Sequence, residues 1–260
     1  MNKFLGLFLG LFLSLQLANA KDMTFAQVEG AFISSNNNES ISRLENIVKD
    51  INKQKNIEFV VFTGNNISKP SKNNLEEFIR IANELAVPYY VVIGNKDVNS
   101  QKEFGKREYI SLLKKKNKAH RKILTPNYIF QKNNIVFIVA DGAKEFIPSS
   151  IGYYKNDMLS WIKSQLNRYE DKKVVIIQHF PLLPSKTKEM YNTYKADEYL
   201  EMLAEFDNVK AIISGHYDSN SETLVNGIWH ITTQNVPKYR IIDILDYDTE
   251  EPVFWSTIRE

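Results

Sequence analysis

The sequence predicts an α/β fold in which two mixed β-sheets pack together with helices outside them. Three observations lead there. Continuous Val/Ile runs such as "VVIIQ" and "VKAIIS" alternate with amphipathic segments, a hairpin interrupts the alternation, and the C-terminal part is rich in strands. Apolar runs between helices mark parallel strands covered on both faces. The hairpin and the tail supply antiparallel partners.

Taken in order, a first strand is expected over 28–34, followed by the polar "SNNNES" and a helix over 40–54. Ser40 is its expected cap, and Ile41, Leu44, Ile47, Val48 and Ile51 form its apolar face. "IEFVVF", 57–62, is a strand, then come a helix over 74–86, the strand "YYVVI" at 89–93 and a helix over 102–116. "NYIF" and "IVFIVA" form the hairpin, turning at 131–134. A helix over 156–169 leads to strand 174–178, a helix over 195–206 to strand 209–214. The tail reads as antiparallel strands at 221–225, 228–233, 239–245 and 252–257.

Residues 1–20 read as a signal peptide: Lys3, an apolar run from Phe4 to Leu13, and Ala18-Asn19-Ala20 before the cut. The run is too short to span a bilayer comfortably, so no stable membrane anchor is expected. The expected product is residues 21–260 as a single domain, periplasmic or secreted. In a eukaryotic secretory route Asn38-Glu39-Ser40 and Asn66-Ile67-Ser68 would be glycosylation acceptors.

The 260-residue chain is 43% hydrophobic and 25% charged, an ordinary globular composition. It has no cysteine, which excludes disulfides and thiolate ligands. Its formal charge of +2 gives no global reason to invoke nucleic acid. The one dense basic run is "KKKNKAHRK", 114–122, which reads either as a solvated helix end or as a contact for an anionic surface.

Five apolar strands end in polar groups: "AFISSNN", "FVVFTGNN", "YYVVIGNK", "VVIIQHF" and "AIISGHY". In an α/β sheet the carboxyl ends of parallel strands line the usual ligand site. Each residue has a bland alternative, since Asn after Gly is a common turn and a histidine at a sheet mouth often satisfies a backbone group. Together, Asn65, Asn95, His179 and His216 point to a shared cleft whose nitrogen and oxygen donors suit zinc, iron or manganese.

The order and context of these elements resemble the calcineurin-like metallophosphoesterases. That family has Asp-x-His after its first strand, then Gly-Asp, Gly-Asn-His, a strand ending in His before x-Pro, and Gly-His-x-His. The matching places here are Ser35-Asn36-Asn37, Gly64-Asn65, Gly94-Asn95-Lys96, His179-Phe180-Pro181 and Gly215-His216-Tyr217-Asp218. The resemblance implies a four-layer sandwich and a pair of metal ions that activate a hydroxide for phosphoester hydrolysis. It also implies a damaged site. Ser35 and Asn37 occupy lost ligand positions, Asn65 replaces the bridging aspartate, Lys96 the catalytic histidine, and Asp218 the last histidine ligand.

The residual metal set is then Asn65, Asn95, His179, His216 and Asp218, with no catalytic residue retained. Lys96 is expected to fill the place of a lost ion, paired with Asp97 or Asp218. The leading expectation is a pseudoenzyme without cofactor that acts in protein binding or assembly with another exported or membrane-associated protein. Apolar residues of the loop 181–194 are its candidate contact, unless Leu182, Leu183 and Tyr191 fold back onto the sheet. The alternatives are a weak hydrolase using one Zn, Mn or Fe ion, and a metal-independent binder of phosphate ligands through Lys96.

Overall fold

The computed structural model describes residues 22–185 and 191–260. Two mixed sheets form the centre. The first is five-stranded in the order β11-β10-β1-β2-β3, the second six-stranded in the order β4-β5-β6-β7-β9-β8. The strands are β1 (Met23–Val28), β2 (Ile57–Phe62), β3 (Tyr89–Val91), β4 (Tyr128–Lys132), β5 (Ile135–Ala140), β6 (Lys173–Gln178), β7 (Val209–Ser214), β8 (Ser221–Val225), β9 (Ile228–Thr232), β10 (Tyr239–Leu245) and β11 (Val253–Arg259). Helices α1 (Asn38–Lys53), α2 (Lys72–Ala82) and α3 (Lys106–Lys116) pack in series, and α4 (Asn156–Arg168) packs with α5 (Ala196–Leu203).

The period-2 geometry of a strand divides each central run between two cores. In β2, Phe59 and Val61 enter the layer between the sheets, whereas Val60 and Phe62 face the helices. In β6, Val175 and Ile177 do the former, Val174 and Ile176 the latter. Stacked Phe25 and Phe59, 4.9 Å between ring centroids, anchor the inter-sheet layer together with Phe137. Phe62 meets Phe78 of α2 edge-on at 4.9 Å on the helical side.

Several expected boundaries move. The first strand lies at Met23–Val28 rather than 28–34, and it pairs parallel with β2 and antiparallel with β10. Its end is set by Gly30, whose φ of 58° takes the chain out of the extended region. Helix α1 is capped by Asn37, whose Oδ1 accepts from the N–H groups of Glu39 and Ser40; Ser40 lies inside the helix. Helix α3 starts at Lys106, after a left-handed Glu103. In the tail, β8–β9 and β10–β11 are antiparallel as expected, but β9 joins β7 in parallel.

Two buried polar residues stitch the sheets together. Gln27 of β1 donates to Ser214 O of β7 at 2.7 Å and accepts from the Thr233 hydroxyl. Arg240 of β10 reaches Glu222 of β8 and the Thr233 hydroxyl. The expected signal peptide lies outside the described residues, as do Lys186–Met190 of the 181–194 loop. In the rest of that loop Leu182 is buried, Leu183 half-buried and Tyr191 exposed. No helix among the described residues is long and apolar enough to cross a membrane.

Candidate functional site

Strands β1, β2 and β3 run parallel in one sheet and β6 and β7 in the other, so their carboxyl ends meet at one rim. Asn95, His179 and His216 come together there. His179 Nε2 lies 3.1 Å from His216 Nδ1 and 3.2 Å from Asn95 Oδ1. The far side of each ring faces a carbonyl: His179 Nδ1 faces Thr63 O at 2.8 Å and His216 Nε2 faces Ser150 O at 2.8 Å. A carbonyl only accepts, so those two nitrogens carry the hydrogens. His179 Nε2 and His216 Nδ1 then face each other beside the Asn95 oxygen. Burial pushes His179 down to about 4, which keeps its ring neutral at neutral pH.

Glu29, directly after β1, escaped the sequence reading. It is wholly buried, its Oε2 accepts from the Thr63 hydroxyl at 2.8 Å, and its Oε1 lies 3.5 Å from His179 Nδ1. Burial pushes its carboxyl well above the usual range, against the opposing bonds from Thr63 and the His216 backbone. Gly215 is a glycine for this reason, because a Cβ there would overlap the Glu29 carboxylate. The signal available in the sequence was an acidic residue against a strand end, "QVEG", which the misplaced first strand absorbed.

Ser35 and Asn37 do not lie where the resemblance placed them. Because β1 ends early, the residues against the end of β2 are Gly30 and Phe32: the Gly30 N–H donates to Gly64 O at 3.1 Å, and the Phe32 N–H to Asn65 O at 2.9 Å. The Ser35 N–H donates instead to Asn74 Oδ1, and Asn37 is spent capping α1. Gly30-Ala31-Phe32 therefore stands at the rim where Asp-x-His is expected. A Cβ on Gly30 would overlap Asn235 Oδ1, and the glycine itself offers no ligating side chain.

Asn65 is buried with a left-handed φ of 51°, and its Oδ1 accepts from the Lys96 N–H at 3.0 Å. The expected Lys96 ion pairs are corrected. Lys96 is exposed, and its ammonium sits 5.0 Å over the Phe32 ring, a cation–π contact. Asp97 turns away from it: Oδ2 accepts from the Gly94 N–H at 2.7 Å and from Asn66 Nδ2, and Oδ1 accepts from the Ile67 N–H. Burial raises Asp97 to about 7. Asp218 is exposed at φ 53° and acts on the site through its charge on Glu29.

This donor set does not fit a dinuclear metal centre. Two imidazoles and one amide oxygen share one focus, the Asn65 oxygen is used by a backbone N–H, and Gly30 and Phe32 offer no donor. Among the described residues no three His, Cys, Asp or Glu side chains come together in a metal-holding group. A cavity of about 910 Å³ is lined by Lys106, Asp141, Phe146, Ile147, Tyr153 and Trp161. The Lys106 ammonium pairs with the buried Asp141 carboxylate at 2.6 Å.

Comparison with known proteins agrees with this architecture. A relative from Arcobacter nitrofigilis, "Probable glycerophosphodiester phosphodiesterase GpdQ", is 26% identical over 197 residues, 71% of this chain and 64% of the relative, so the chain spans under two thirds of that protein. A dimetal phosphatase from Danio rerio is similar in fold, with a TM-score of 0.67 at 16% identity over 89% of this chain and 98% of the other. So is GAP50, described as the anchor in the inner membrane complex of Plasmodium, with a TM-score of 0.57 at 15% identity over 92% and 90%. The model of the calcineurin-like phosphoesterase family matches residues 35–217, and the chain belongs to that family.

Proposed function

We propose that this protein is an exported, noncatalytic member of its family that works by binding, in assembly with another exported or membrane-associated protein. One observation carries the reading. At the rim where a first metal ion would be held, Gly30 is closed off by Asn235, and Phe32 carries the Lys96 ammonium 5.0 Å over its ring. The two places that hold ligands in the family are thus taken by a glycine and a phenylalanine, which offer no donor. The likeness to GAP50, described as an anchor, supports a fold of this kind in a holding role.

The focus between His179, His216 and Asn95 supports the second reading, a weak phosphodiesterase with one ion. The name of the Arcobacter relative makes glycerophosphodiesters the substrates to try first. Turnover of these and of a chromogenic phosphomonoester is measured with added Mn, Zn or Fe, beside a His179→Ala/His216→Ala double variant. No turnover above that variant is expected. Metal-dependent turnover that disappears in the double variant would overturn the proposal and establish the second reading.

A further inference from the structure

Helix α3 ends in a basic run that the rim chemistry does not use. Residues 113–124 fold so that Leu113, Asn117, His120 and Ile123 are buried, while Lys114, Lys115, Lys116, Lys118, Arg121, Lys122 and Leu124 are exposed. The inward residues fix this turn in place: Asn117 Nδ2 donates to Tyr89 O at 3.1 Å, and Asn117 Oδ1 accepts from the Ala119 N–H. All the cations of the run therefore face outward from one corner, where β3 and β4 form the sheet edges.

The helix macrodipole accounts for Lys114, Lys115 and Lys116 in the last turn of α3. It does not account for Lys118, Arg121 and Lys122, which follow the helix end. Among the described residues, only Lys116 of the six pairs with a carboxylate, Glu76 at 3.4 Å. The whole chain sums to only +2, so this corner is a local concentration of charge rather than a share of a basic surface.

The corner is also apolar at its centre. Leu124 is 69% exposed, and beside it lies a cavity of about 510 Å³ lined by Tyr90, Lys122, Leu124, Tyr128, Ile129 and Phe130. Cations around an exposed leucine and an aromatic hollow complement a surface with anionic heads over an apolar layer. Nucleic acid would match the charge and leave Leu124 without a role.

We propose that the 114–124 corner docks this protein on an anionic phospholipid surface. The lysines and Arg121 lie against headgroup phosphates, and Leu124 enters the boundary below them. The corner is held at the start of β3 by the Asn117–Tyr89 bond, whereas the histidine rim lies at the carboxyl ends of the strands, so docking leaves the rim uncovered.

The test is co-sedimentation of the full chain with phosphatidylcholine vesicles, with and without phosphatidylglycerol. Binding is expected only with the anionic lipid, and it should fall as salt screens the charges. The Lys115→Glu/Lys118→Glu/Arg121→Glu/Lys122→Glu variant should bind on the order of six hundredfold more weakly or worse, since each of the four surface cations contributes about fivefold. Leu124→Ser should lose about tenfold. All changed side chains are exposed, and an unchanged melting curve verifies the fold. Equal binding to both vesicles, no binding, or full binding by the charge-reversed variant would overturn the proposal. Tighter binding to a DNA duplex than to vesicles would assign the corner to nucleic acid, and release by millimolar inorganic phosphate alone would reduce it to a free-phosphate site.

Discussion

His179 Nε2 and His216 Nδ1 meet at 3.1 Å while the outer nitrogens of both rings are held by carbonyls. Two inherited ligand positions thus remain together, oriented from behind by the backbone, around one focus. The surroundings have changed more than the pair. The neighbouring carboxylate, Glu29, lies behind the His179 ring on its Thr63 side, and the rim opposite is closed by Gly30, Asn235 and the Phe32–Lys96 contact.

Closure at Gly30 gives a stability prediction. Gly30→Ala places a Cβ in a left-handed backbone at φ 58° and into the Asn235 amide. The conformational part costs about 1–2 kcal/mol, and the overlap adds about 1–3 kcal/mol. Gly227→Ala, also left-handed at φ 77° but facing open space, should show the conformational part alone. Urea midpoints of the two variants separate the contributions.

Asp97 is predicted to be a keystone of the Gly94 turn rather than a partner of Lys96. Asp97→Ala leaves the Gly94 and Ile67 N–H groups without their acceptor, while the Asn66 amide keeps Val92 O and the Tyr109 hydroxyl, and should cost about 2–4 kcal/mol. Asp97→Asn, nearly isosteric, should cost less. Because the folded-state value is raised, from 3.8 to about 7, the contribution of Asp97 is complete below about pH 4 and declines as pH rises through 7. The stability gap between wild type and Asp97→Asn should therefore narrow over that range in chemical denaturation.

His120 is buried with neither ring nitrogen hydrogen-bonded among the described residues, and burial lowers it to about 3. The shape of its site is aromatic, with Tyr128 edge-on at 5.3 Å. His120→Phe should stabilise the protein by about 1–3 kcal/mol at neutral pH, since an unpaired buried polar group is removed. Depressed histidines stabilise above about pH 6.5 and lose that contribution as pH falls through the folded value. His120, His179 and His230 all act in this direction, so the acid limb of the stability curve should be shallower in His120→Phe.

Much of this was legible in the sequence because burial on both faces writes itself as uninterrupted Val/Ile runs. Strands β2, β6 and β7 and the convergence of Asn95, His179 and His216 follow from that alone. The first strand was misplaced because "TFAQVEG" carries Gln27 and Glu29, polar residues buried only because β7, Thr63 and Thr233 arrive to bond them. The run "AFIS" after it looked more strand-like. With β1 shifted, Ser35 and Asn37 were assigned to a rim that Gly30 and Phe32 hold. The direction of Lys96 was equally hidden, since Asp97 beside it is taken by three N–H donors from the fold.

The central claim is that the rim of this phosphoesterase fold is closed by its own side chains and holds no metal pair. Its most direct test is the metal content per chain of the full-length protein, by mass spectrometry, after equilibration with Mn and Zn and removal of unbound ion. At most a fraction of one ion per chain is expected. Two tightly held ions per chain, lost from the His179→Ala/His216→Ala variant, would contradict it.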